Sequence, residues 1–222
     1  MGSFFNIDGP IWGLLNNIAN VILLNLLWIL CCIPVVTVVP ATTAMYYVTL
    51  KMVKKEEPYI LRSFFYSFRE NFKQGLVLSV IFLTLGYILC VDIQVLQRFS
   101  TDFHQVLLTI SYVICALTIM TAAYVCPLLS RFQNTVVATI KNAIIIGLSN
   151  PLKTVIILTI DLLPVLLLVF FPDSFAASIL FWVLFGFATL ALVNSILLSK
   201  LFARYESKAL AEECSGIDQS KE

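Results

Sequence analysis

Charge is what this chain has least of. Only 12% of its 222 residues are Asp, Glu, Lys or Arg, about half of the roughly 25% found in ordinary soluble domains. Hydrophobic residues make up 60%, more than a water-soluble core can absorb, so the lipid bilayer is the expected sink. A net charge of +1 offers no electrostatic footprint for nucleic acid. His104 is the only histidine, so a histidine-based metal site or acid–base dyad has no second member. CxxC, a glycine-rich phosphate loop, GxSxG and HExxH are all missing. The expectation is a chain with no catalytic residue, no metal and no cofactor, hence not an enzyme. No Lys or Arg precedes Lys51, which is the wrong start for a signal peptide, so the N-terminus is expected to stay on the mature protein. Cysteines are present but unpatterned. Cys31, Cys32, Cys90, Cys115 and Cys126 lie in or beside apolar runs and read as small filler at helix contacts, and Cys214 lies in a polar tail.

What the chain does have is long apolar runs. A helix needs about 20 apolar residues to cross the hydrocarbon core, and five stretches qualify, at about 18–39, 75–96, 106–129, 152–171 and 176–199. Asp8-Gly9-Pro10 reads as a helix start ahead of the first. Lys51, Lys54, Lys55, Arg62, Arg69 and Lys73 follow the first run, Arg131, Lys141 and Lys153 the third, and Lys200, Arg204, Lys208 and Lys221 the fifth. Arg98 is the one basic residue on the other side, so thirteen of fourteen lie in alternate segments. The positive-inside rule then places the N-terminus outside and the C-terminus, with its tail 205–222, in the cytoplasm. The fold class expected is an all-α membrane protein, a single domain of five transmembrane helices over residues 1–204 with amphipathic helices on the cytoplasmic side.

Those cytoplasmic helices are expected at about 41–55, 60–73 and 135–149. The first ends at Glu56-Glu57-Pro58 and carries Tyr46 and Tyr47, which suit the headgroup zone. The second has Leu61, Phe64, Phe65, Phe68 and Phe72 on one stripe, with Arg62, Arg69 and Lys73 beside it. It reads either as an elbow in the inner interface, its basic residues near anionic lipid, or as a docking face for a partner. The third, from Val136 to Leu148, is too short to span and has Lys141 at its centre, so a surface or re-entrant helix is expected. Cys32-Ile33-Pro34 and Cys126-Pro127, each followed by interfacial helix and then by Asn71 or Asn150, suggest a parallel internal repeat.

Polar residues inside the spans are the remaining candidates for a site. Asn20, Asn25 and Asn194 fall in spans, and Asn16 in a helical extension back toward Ile11; amides there usually bind neighbouring helices for roughly 0.6 to 2 kcal/mol each. Gly86 and Gly186 are expected to permit close helix contact. Asp161 is the one carboxylate deep inside a span, and a central Asp costs roughly 2.5 to 3.5 kcal/mol on insertion scales. Its run is apolar enough to insert regardless. The expectation is a protonated carboxyl that hydrogen-bonds Asn, Ser or Thr on another helix, or one that faces a wet cavity. Pro164, one turn later, frees the carbonyl of Ile160 and adds a second polar group nearby.

The run from Ile22 to Gly75, ILLNLLWILCCIPVVTVVPATTAMYYVTLKMVKKEEPYILRSFFYSFRENFKQG, and the opening FFNIDGP from Phe4 to Pro10 resemble the YesL-like family of bacterial integral membrane proteins. That resemblance implies a context without a mechanism, since members are commonly encoded beside carbohydrate ABC importers and their two-component regulators. It implies a bacterial plasma membrane location and supplies no catalytic residues. The function expected is therefore a non-enzymatic accessory or regulatory membrane protein of carbohydrate uptake, with the bilayer and a sugar ABC importer or its two-component regulator as partners. A small transporter or channel, alone or as a homo-oligomer, is the alternative.

Overall fold

The computed structural model describes residues 10–56, 59–98 and 103–219. Asp8-Gly9, most of the FFNIDGP opening, and Glu57-Pro58 lie outside the described residues. All regular structure among those described is helical. Five helices are long and apolar enough to cross a membrane: Leu15–Cys32, Phe72–Leu96, His104–Arg131, Pro151–Phe170 and Ile179–Tyr205. The chain thus has the architecture of a multi-pass membrane protein. Large apolar residues such as Leu30, Tyr87, Val155 and Phe170 remain exposed along these helices, as a bilayer, unlike water, allows.

Helix α1 (Pro10–Cys32) stops where Pro34 cannot continue it, and the expected first span to Val39 is corrected here. A 3₁₀ turn (Val35–Thr37) follows. There the Thr37 hydroxyl lies 2.6 Å from both the Cys31 and Pro34 carbonyls, satisfying oxygens that the helix end leaves without partners. No charged residue marks this break, so hydropathy runs straight across it.

Helix α2 (Val38–Val53) follows at once, and it corrects the expectation of a helix lying on the interface. Nine of its sixteen residues are buried, and it packs against α1, α3 (Ile60–Glu70), α4 (Phe72–Leu96), α5 (His104–Arg131) and α10 (Phe187–Gln219). The cause is small side chains. Ala41, Thr43 and Ala44 are fully buried, and short residues let helix axes approach closely where lipid supplies no hydrophobic drive. Polar bonds tie α2 to its neighbours: Trp28 Nε1 donates to Thr42 at 3.0 Å, Val39 N to Ser79 at 3.3 Å, and the Thr49 and Ser195 hydroxyls meet at 2.7 Å. Gly75 of α4 completes the contact, because a Cβ there would come within 2.9 Å of Pro40. Gly86, expected at such a contact, faces open space.

Helix α3 divides its phenylalanine stripe. Phe64 is fully buried, Phe68 packs on the core, and Phe72 begins the next helix half-buried. Asn71 separates α3 from α4, its amide donating to the Ser67 carbonyl at 3.0 Å. Asn150 stands likewise between α6 (Val136–Ser149) and α7 (Pro151–Phe170), donating to the Ile146 carbonyl at 3.3 Å. Pro127 and Pro164, unlike Pro34, lie inside continuous helices. After α8 (Pro172–Ala177) comes a short α9 (Ile179–Phe181), then a π-helical turn (Trp182–Gly186) that feeds α10. The fifth span therefore starts at 179, not 176, and is interrupted within its first two turns.

Candidate functional site

Two clusters of polar side chains form inside the bundle, and they use the expected residues differently. The first surrounds Asn25, which is 0% exposed. Its amide nitrogen donates to the carbonyls of Trp182 at 3.1 Å and Val183 at 2.6 Å, and its oxygen accepts from Ala188 N at 2.8 Å. A π turn shifts the hydrogen-bond register and leaves backbone groups without helical partners, and Asn25 serves the groups at this turn. Gly186 makes the turn possible, since a Cβ there would come within 2.3 Å of the Trp182 ring. The expected close approach at Gly186 is thus to its own helix. All three hydrogen-bonding capacities that Asn25 uses go to backbone, so this is a structural clamp.

The second cluster brings together α2, α7 and α10. Asp161 accepts a hydrogen bond from Asn194 Nδ2 at 2.6 Å, and the same nitrogen lies 3.4 Å from the Tyr46 hydroxyl. Asn194 is 0% exposed, yet its Oδ1 has no partner among the described residues. Buried Thr43, one turn before Tyr46, has its hydroxyl beside the Cys126 thiol of α5. Cys126 of α5 and Tyr46 lie within electrostatic reach of Asp161. The stripe Thr154, Ile157, Asp161 turns this acid inward, because these residues recur on one face of α7. Thr154 anchors the lower part of that stripe, bonded to Tyr124 at 2.9 Å and to the Gly147 carbonyl at 2.8 Å. The partner on another helix is thus an asparagine, with the Asp161 carboxyl as the acceptor.

The other candidates fall elsewhere. Asn16 is exposed and Asn20 half-buried on α1, and neither joins Asp161. Pro164 stays on α7, where its missing N–H leaves the Ile160 carbonyl without its usual donor. On α3, Arg62, Phe65 and Arg69 are exposed with Leu61, Tyr66 and Glu70 and line an open groove, while Phe64 and Phe68 turn toward the core. Lys73, past the end of α3, is exposed. Sequence reasoning passed over Tyr46 as a site residue, reading it as a headgroup anchor. It also left Asp92 unpartnered, whereas its carboxylate bonds the Ser111 hydroxyl and joins α4 to α5.

Residues 21–93 match the model of a family described as a protein of unknown function, DUF624. The chain is similar to that family over about a third of its length. The matched stretch contains Asn25, Tyr46 and α3 but neither Asp161 nor Asn194. No curated protein and no solved structure matches the chain.

Proposed function

We propose that this chain is a non-enzymatic accessory or regulatory protein of a bacterial plasma membrane, with its N-terminus outside and its C-terminus in the cytoplasm, assisting a carbohydrate ABC importer. The observation that carries the reading is the outer face of α3. Leu61, Phe65 and Tyr66 stand exposed there among Arg62 and Arg69, on the side where the basic residues collect. Aromatic and arginine side chains together are the usual anchors of protein contacts. The match of residues 21–93 to a family of unknown function is compatible with the YesL-like resemblance of Ile22 to Gly75, which supplies the sugar-uptake context.

Co-purification with a carbohydrate importer in mild detergent tests the proposal. Association is expected with the unaltered chain and is lost in Phe65→Ser/Tyr66→Ser, whose stability should stay near that of the parent because both side chains are exposed. No association with an importer, or association indifferent to this pair, overturns it. Orientation is tested separately in a background without native cysteines. A membrane-impermeant thiol reagent should label Gln97→Cys in intact cells and spare Glu56→Cys. The half-buried acid with its cluster favours the second reading, a transporter or channel, and solute flux by the purified chain alone would support that reading.

A further inference from the structure

An acid within the apolar depth of a helix bundle calls for a partner suited to each of its protonation states, and the Asn194 amide can serve both. We infer that Asp161, Asn194 and Tyr46 form a reversible proton-binding site inside the bundle, in which the Asn194 amide turns over as the Asp161 carboxyl gains or loses its proton.

In the observed arrangement the amide nitrogen donates to Asp161, as an ionised carboxylate, a pure acceptor, requires. The long 3.4 Å approach to Tyr46 and the orphaned Oδ1 are the consequences. A half-turn about the Cβ–Cγ bond exchanges the two ends of the amide. Oδ1 then accepts from the O–H of a protonated Asp161 and from the Tyr46 hydroxyl, which donates as readily as it accepts. Each protonation state therefore has its own hydrogen-bonded arrangement. One proton from bulk water forms one O–H bond on Asp161, and the site's charge changes from −1 to 0. Nothing else is made or broken.

The surrounding ionisable groups leave the acid to the amide. Tyr46 of α2 and Cys126 of α5 lie within electrostatic reach of it, and neither brings a positive charge. Tyr124 of α5 is engaged by Thr154. Lys141 of α6 and Asp173 of α8 are exposed, and Lys141 lines an outward groove with Val137 and Ile144. On α7 itself Lys153 comes eight residues before Asp161, about 12 Å along the axis. On α10, Lys200 and Arg204 follow Asn194 by six and ten residues, about 9 and 15 Å away along the helix. Because α7 buries only Thr154 and Ile157 fully, the Asp161–Asn194 contact is a main tie between α7 and α10, and protonation would be felt in how the two helices pack.

The test uses the purified full chain in phosphatidylcholine vesicles and dicyclohexylcarbodiimide, a reagent that adds to protonated carboxyl groups in apolar surroundings. Labelling of the Asp161 peptide, read by mass spectrometry, should fall roughly tenfold for each pH unit above its midpoint, as a single titrating group requires. It should be the same in sodium and potassium salts and absent in Asp161→Asn. Asn194→Leu should move the midpoint, and Asn194→Ser carries the same comparison if the leucine variant does not fold. Labelling that is absent at every pH the protein survives, or constant across that range, overturns the proposal. So does protection by sodium, which would make the site one for a metal cation, or a midpoint indifferent to both Asn194 variants.

Discussion

Asn25 and Asn194 are two fully buried amides in the same bundle, and what separates them is how completely they are used. Asn25 spends donors and acceptor alike on backbone groups of the π turn. Asn194 holds an acid and a phenol by one nitrogen and leaves its oxygen unpartnered. A satisfied polar group locks a structure, since any departure strands several partners at once. An amide with spare capacity beside an acid has a second arrangement available. The same residue type thus acts as a rivet in one place and a switch in the other.

Replacing each amide in turn is the sharpest way to break that comparison. Asn25→Leu strips three backbone groups of partners, and the loss in stability should be about 3 kcal/mol, read from thermal or denaturant unfolding in detergent. If Asn25→Leu unfolds like the parent, the clamp is no clamp. Gly186→Ala should cost about 1–3 kcal/mol through the clash with the Trp182 ring. Combined with Asn25→Leu it should cost less than the sum, because both act on one turn. Full additivity would separate the glycine from the asparagine. Asn194→Leu should lose about 1 kcal/mol, clearly less than Asn25→Leu, and equal losses would erase the distinction between rivet and switch. Asp161→Asn keeps a hydrogen-bonding group toward Asn194, so its stability in the same unfolding measurement should stay within about 0.5 kcal/mol of the parent, while sugar uptake by the proposed importer partner should change. Asp161→Leu should destabilise more than Asp161→Asn. Tyr46→Phe should have the smallest effect, a few tenths of a kcal/mol, because it removes only a long bond.

The first third of the chain shows why some elements were legible and others were not. Phe64 and Phe68 fall on one side of a 3.6-residue period, and the structure buries or packs them as that period requires. Phe65 shares the stripe in sequence but stays exposed, because it lies about 100° round the helix from Phe64. In α2 the same reasoning failed. Alanine and threonine with two tyrosines look like interface by composition, yet their small size is what admits five neighbouring helices. The suggested repeat fares in between. Asn71 and Asn150 do the same local work at matching helix junctions, but Pro34 ends a helix where Pro127 lies within one, and two helices fill a connection that elsewhere holds one.

The sequence by itself determined that this chain has, among the described residues, five helices suited to crossing a membrane, because apolar length is summed along the chain and needs no partner to be read. It also singled out Asp161, since a carboxylate in such a run is conspicuous wherever the helix goes. Only the tertiary structure decided that Asp161 meets Asn194 and Tyr46, that Asn25 serves a π turn 157 residues away, and that α2 is core. Those outcomes depend on which helices pack together and at what depth. In these apolar spans that choice rests on small residues and single hydrogen bonds, which leave almost no trace in hydropathy.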